Sequence, residues 1–272
     1  MNKVFIVANK EFHDGLRNRW FVSITLIFAV LSLGLSYYGT VVSGSIGVAS
    51  LSSTIASLAS LAVFLIPLIA LLVSYDSFVG EQESGTLLLL LTYPISKTQL
   101  LIGKFVGQGG IIALATLLGF GTSAALLSYQ QGIENVAPAF TLFISSAILL
   151  GLSFTALAYL ISLLVNEKSK AAGLALVLWF FFALVFDLAL LAVLVGTEDV
   201  ISQHGLTYIM LLNPADVFRL VNFAALDATD VNGVLAMTIQ TSASPAQLFV
   251  TLLLWVIMPL TIANFIFKKS KI

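Results

Sequence analysis

The chain has 272 residues, of which 59% are hydrophobic and 9% charged, with a mean hydropathy of +1.07 and a formal net charge of −1. Soluble domains are about a quarter charged, so these figures exclude a water-soluble fold, and nothing in them suggests a nucleic-acid partner. With no cysteines, the chain by itself builds no disulfide, thiolate metal site or persulfide relay.

A helix crosses the hydrocarbon core of a bilayer in about 20 residues. Six segments are long and apolar enough: 20–42, 54–75, 105–128, 138–165, 171–195 and 247–267. Runs such as 87–91 and 188–194 do not alternate as barrel strands must, so the expected class is an all-α integral membrane protein, one domain over 1–272 without internal repeats. The first apolar run is about twice a signal-peptide core and no small-residue cleavage site closes it. It therefore reads as a retained span.

Ahead of that span, Phe5, Ala8, Phe12, Leu16 and Trp20 share one helical face, and Lys3, Lys10, Asp14 and Arg17 the opposite one. Residues 1–19 are thus expected as an amphipathic helix along the inner membrane surface. Ile6 and Val7 interrupt the pattern, and the alternative is a basic tail that serves only as a topology signal. With the N-terminus inside and six crossings, all 12 basic residues except Arg219 fall on the inner side. By the positive-inside rule this implies a multi-pass membrane protein with both termini cytoplasmic. The outer segments then carry Glu134, Glu198, Asp199, Asp216, Asp227 and Asp230.

The outer loop 43–53 is rich in Ser and Gly. The inner loop 76–104 contains Glu81-x-Glu83-x-Gly85-Thr86-Leu87, then Tyr93-Pro94-Ile95-Ser96-Lys97 and Gly103-Lys104. Two acids, a glycine, a short apolar helix and a proline stop describe a small element held against the membrane, able to dock into a soluble partner; any inner loop also needs polar residues. Gly103-x-x-x-Gly107 reads as a loose hinge at the start of a span, with close helix packing as the alternative. Pro67 and Pro259 are expected to kink their spans.

Asp187 is the one charge within the six segments. A carboxylate at that depth costs roughly 2.5–3.5 kcal/mol on insertion scales. It either lines a central pathway or gate, or is a neutral acid hydrogen-bonded to a neighbouring helix. The outer segment 196–246 contains Asn213-Pro214-Ala215-Asp216, a helix start with an Asn cap, Pro in the first turn and Asp at the positive dipole end. That helix is expected to reach about Leu226 and to lie at the outer interface, with 206–212 dipping into the bilayer and back. Pro214, Phe218 and Arg219 are its candidate contacts for a periplasmic partner.

Copper conduction needs a ladder of soft or imidazole ligands. His13 and His204 lie outside the segments and only Met258 of four methionines is securely within one, so no metal site is expected. No catalytic residue is expected either. A phosphate-binding loop requires Gly-x-x-x-x-Gly-Lys-[Ser/Thr], whereas Gly103-Lys104 has Thr98 in place of the first glycine and Phe105 in place of the hydroxyl.

The inner-loop motif, the following Pro-x-Ser-Lys and Gly-Lys, the six spans and the long outer segment together resemble permeases of the ABC-2 transporter family over nearly the whole chain. Ser84-Gly85-Thr86-Leu87, Tyr93-Pro94-Ile95-Ser96 and Leu212-Asn213-Pro214-Ala215-Asp216-Val217-Phe218-Arg219-Leu220 resemble more narrowly the branch serving maturation of nitrous oxide reductase. The resemblance implies a type V exporter fold, a homodimer and residence in the bacterial inner (cytoplasmic) membrane. It implies a NosF-like cytoplasmic ATPase that holds ATP and Mg and docks on Glu81, Glu83, Gly85, Thr86, Leu87, Pro94 and Lys97, and a NosD-like periplasmic accessory protein. The cargo would be a sulfur species, or force alone would be transmitted; a generic exporter of lipid, polysaccharide or drug is the alternative. Leu88, Leu89 and Leu90 depart from the family, where many members carry another acid.

Overall fold

The computed structural model describes residues 2–38, 50–196, 203–224 and 244–270. Most of the loop 43–53, and within the outer segment residues 197–202 and 225–243 with Glu198, Asp199, Asp227 and Asp230, lie outside the described residues. In chain order the helices are α1 (Lys3–Arg17), α2 (Arg19–Tyr38), α3 (Leu51–Ser74), α4 (Val79–Glu83), α5 (Thr86–Thr92), α6 (Lys97–Gln131), α7 (Ile133–Leu164), α8 (Lys168–Phe180), a π-helical turn (Phe181–Val185), α9 (Phe186–Gly196), α10 (Gln203–Met210), α11 (Pro214–Phe223) and α12 (Pro245–Lys269); there is no strand among the described residues. Leu51–Glu83, Lys97–Gln131, Ile133–Leu164, Lys168–Gly196 and Pro245–Lys269 are long and apolar enough to cross a membrane, and α1 with α2, bent by 66°, makes up to six.

The third span starts earlier than its apolar run. Ser96 Oγ accepts from Gln99 N (3.2 Å) while Gln99 Oε1 accepts from Ser96 N (3.0 Å). This capping box satisfies two orphan groups at once and fixes the helix start at Lys97. At 1.5 Å per residue the 35 residues of α6 measure about 52 Å, well beyond a hydrocarbon core of about 30 Å. The inner loop is therefore reduced to α4, α5 and the turn after them.

α7 is the central post, packed by α3, α6, α11 and α12. Its Phe143 meets Phe120 of α6 edge-on (5.1 Å between centroids), and Phe120 stacks on Phe28 of α2 (4.9 Å). Such pairs contribute about 0.5–1.5 kcal/mol each beyond burial. Close approach in lipid relies on small residues: a Cβ on Gly119 would lie 2.3 Å from Phe28 Cβ.

The same principle corrects the hinge expected at Gly103 and Gly107. α6 runs unbroken through both, and a Cβ on Gly103 would lie 2.6 Å from Val7 Cβ, one on Gly107 2.6 Å from Glu11 Cβ. The glycines are the bed on which α1 rests. Val7, an interruption in the amphipathic pattern, is buried together with Ala8 at this contact, whereas Phe5 is exposed. The packed stripe of α1 is rotated from the expected one because α6 covers part of the helix.

α10 and α11 form a hairpin wedged into the bundle, with α11 against α3, α7 and α12. Trp255 Nε1 donates to Leu211 O (3.0 Å) and Asn213 Nδ2 to Phe182 O (3.0 Å). Trp255 lies about 15 Å along α12 from its first residue Pro245 at 1.5 Å per residue, so the tip at Leu211 and Asn213 packs well inside the bundle. α11 ends at Phe223, short of Leu226, and is an internal helix instead of one lying on the outer interface.

Candidate functional site

The motif of the inner loop becomes one compact element. Ser162 of α7 caps α4 by accepting from Phe78 N (3.1 Å) and Val79 N (3.0 Å), filling the orphan donors of a helix N-terminus. Gly85 takes φ 72°, a left-handed conformation that glycine adopts without steric cost, and turns the chain into α5. Thr86 Oγ1 donates back to Glu81 O (3.3 Å). Leu87 is buried with Phe78, Leu100, Tyr159 and Phe267, while Leu88, Leu89 and Tyr93 are 57%, 64% and 63% exposed.

Both acids are engaged by neighbouring helices, Glu81 partly buried and Glu83 at the exposed edge of the element. Lys104 of α6 is 2% exposed, and its Nζ donates to Glu81 Oε1 (2.7 Å) and to Glu11 Oε1 (3.2 Å). A buried ammonium requires such partners, so α1, α4 and α6 are tied at one point. Glu83 Oε1 accepts from Lys168 N (2.6 Å), at the first turn of α8, where the helix dipole favours a carboxylate. Lys168 Nζ in turn pairs with Asp76 (2.7 Å). Pro94 O accepts from Lys3 Nζ, and Lys97 Nζ donates to Ser270 O (2.8 Å). On α1, partial burial lowers the pKa of Lys10, but Glu11 and Asp14 outweigh it and hold the group above its ordinary value.

Toward the other end of the bundle, Arg219 Nη1 donates to Asp187 Oδ2 and to Asp216 Oδ1, both at 2.7 Å. Asp216 is buried and its second oxygen accepts from Asn213 Nδ2 (3.0 Å). Asp187 follows the π-helical turn, a feature frequent at functional sites. It is half-buried and lines an open cavity of about 320 Å³ with Arg219, Asp216, Leu190, Leu206 and Met210. Of the two readings of Asp187, neither anticipated its partner: the arginine that charge counting placed outside.

The candidate partner contact on α11 is corrected by burial. Pro214 and Phe218 are buried, Phe218 against Phe143 (5.9 Å between centroids), and the guanidinium of Arg219 is turned onto the two aspartates. None of the three offers a free outer surface, because the apolar stripe of α11 needs the bundle more than the interface. Glu11, Ser162, Asp76 and Lys168 were missed as members of the inner element. Lys104 stood in the Gly-Lys pair, but only the packing of α1 on α6 reveals its burial.

The pattern of the ABC-2 family transporter protein family matches residues 5–272. The chain belongs to the ABC-2 transporter family. It is 49% identical over 275 residues to the probable ABC transporter permease protein NosY of Pseudomonas aeruginosa, covering 100% of both chains. It is 50% identical over 273 residues to the protein of the same description from Stutzerimonas stutzeri, covering 99% of each. As an ABC transporter permease it is a multi-pass membrane subunit, and membership implies an ATPase partner. In this ABC-2 permease the inner element exposes an apolar rim, Leu88, Leu89 and Tyr93, beside the polar turn of residues 82–86.

Proposed function

We propose that the chain is the permease of an ATP-driven system that supports assembly of the copper centre of nitrous oxide reductase. Two copies in the cytoplasmic membrane each receive a NosF-like ATPase on the α4–α5 element, and a NosD-like periplasmic protein receives the output as an exported sulfur species or as force. The reading of the pathway rests on likeness to the two NosY proteins over full length. The reading of the site rests on one observation, the anchoring of α4 to three other helices through Glu81–Lys104–Glu11 and Glu83–Lys168 N.

The physical consequence is a division of labour. Glu81, Glu83, Gly85, Thr86 and Leu87 shape and anchor the element, while Leu88, Leu89 and Tyr93 supply the apolar contact for the ATPase. The leucines where relatives carry an acid fit that role, since aromatic and aliphatic anchors dominate interface energies. Movement of the docked ATPase pulls on α1, α6 and α8 together. Because α8 continues through the π-helical turn into α9, that pull reaches Asp187 and its link to Arg219, which acts as the gate between span five and the α10–α11 hairpin.

Gentle extraction tests the central claim: a co-purifying ATPase is expected, and its absence overturns the assignment. Leu88→Asp with Leu89→Asp should abolish association while the permease keeps its thermal midpoint. Glu81→Ala with Glu83→Ala should retain association but lose coupled ATP hydrolysis. A deletion strain with fully copper-loaded nitrous oxide reductase would redirect the assignment to a general exporter of lipid, polysaccharide or drug.

A further inference from the structure

The 66° bend between α1 and α2 opens a wedge between the two helices. α1 ends at Arg17, and Asn18 N closes it on Asp14 O and Gly15 O, both at 3.1 Å. Gly15 rests directly on α6, since a Cβ there would lie 2.6 Å from Ile111 Cγ1. α2 then runs along α6 with α3 beside it, and a cavity of about 370 Å³ remains under the elbow. That volume lies within the roughly 300–1,000 Å³ of ordinary ligand pockets.

Its polarity is one-sided. Phe21, Ile24, Leu72, Val73 and Ile111 form the wall, whereas the polar lining gathers at Asn18, Asp76 and Lys168. Lys168 and Asp76 neutralise one another at 2.7 Å. Arg17 and Arg19, which flank Asn18, are exposed and make no ion pair among the described residues. Asn18 of the lining is thus flanked in the chain by two exposed guanidiniums without an ion pair among the described residues. Guanidinium presents a donor fork matched to phosphate, and an apolar wall between helices at the membrane edge suits an acyl chain.

We infer that the cleft beneath the α1–α2 elbow binds an anionic phospholipid, its acyl chain against Phe21, Ile24 and Leu72 and its phosphate on Arg17 and Arg19. A soluble phosphate compound gains nothing from the wall, and a zwitterionic lipid gains little from the excess positive rim. Basic residues near a membrane surface favour anionic lipid. The bound lipid would splint α1 against α2 and α3 across the cavity under the elbow. The inference is independent of the ATPase assignment, because its readout involves no nucleotide.

Native mass spectrometry of the full chain, released from mild detergent after incubation with phosphatidylglycerol or phosphatidylcholine, tests it. Phosphatidylglycerol should be retained roughly tenfold better. Arg17→Gln with Arg19→Gln should abolish that preference. Leu72→Trp, at a partly exposed wall position that tolerates a larger side chain, should reduce phosphatidylglycerol retention with every charge in place. Glycerol 3-phosphate at equal concentration should not compete. Equal retention of the two lipids by the unaltered chain overturns the inference, as does undiminished phosphatidylglycerol binding in either variant. Competition by glycerol 3-phosphate would mean a headgroup patch without a chain-binding cleft, and overturns it as well.

Discussion

Replacing Lys104 with methionine removes the cation that joins three helices while keeping the length and packing of its stem. Its Nζ lies 2.7 Å from Glu81 Oε1 and 3.2 Å from Glu11 Oε1. At an effective dielectric of about 20, Coulomb's law gives these contacts about 6 and 5 kcal/mol. Desolvation of the ammonium and the two carboxylates, at several kcal/mol per ion, cancels most of that gain. Deleting one partner is costlier than the net worth of the cluster, because the remaining charges stay largely buried: Glu11 is 12% and Glu81 21% exposed. The expected loss for Lys104→Met is about 3–5 kcal/mol. Adding Glu81→Gln removes one of the two facing carboxylates, so the double variant should be more stable than the sum of the single losses by about 1–3 kcal/mol. Unfolding in mixed detergent and dodecyl sulfate micelles measures all four corners of this cycle. Additivity within about 0.5 kcal/mol would refute the reasoning, since charges that do not meet cannot compensate each other.

At the opposite site, Arg219→Leu leaves Asp187 and Asp216 without their shared cation and should destabilise by about 3–5 kcal/mol, whereas Asp187→Asn keeps the Arg219–Asp216 pair and should cost only about 1 kcal/mol; the reverse ranking in the same unfolding assay would dismiss the triad. For the gate, Asp187→Asn and Asp187→Leu should both reduce nitrous oxide reductase maturation in cells, and full activity in both removes Asp187 from the working pathway. Gly107→Ala places a Cβ 2.6 Å from Glu11 Cβ and 2.7 Å from Ala8 O and should cost about 1–3 kcal/mol as an overpacked contact, with faster proteolysis of α1. Gly121→Ala meets nothing within 4 Å and should be neutral or stabilising by up to about 1 kcal/mol; equal loss in both would mean that α1 does not rest on α6.

The spans and the inner element were legible because each is written locally. Long apolar runs report transfer into lipid, and Ser96 with Gln99, or Asn213 with Pro214, report helix starts whatever lies nearby. Glu81 and Glu83 stood out as acids beside apolar segments, but their direction was not legible. That depended on Lys104 and the N-terminus of α8 meeting them from other parts of the chain. Asn213-Pro214-Ala215-Asp216 announced a helix, and its short length suggested an interfacial one. What placed it inside was the sum of contacts with α3, α7 and α12, which no window of sequence contains.

The sequence by itself determined the membrane class, the spans, the resemblance to ABC-2 permeases and the location of the inner motif, since composition, periodicity and end-capping depend on residues close together along the chain. Only the tertiary structure decided that Gly103 and Gly107 are a contact bed, that Glu81 and Glu83 anchor α4 to neighbouring helices, that Arg219 pairs with Asp187, and that an apolar cleft lies beside Asn18. A buried charge is stable only beside its partner, and the partners here lie 23 to 93 residues apart in the case of Lys104 and 32 in the case of Arg219. Which helix faces which is fixed by how small residues let them approach, a property of pairs of helices and not of either one alone.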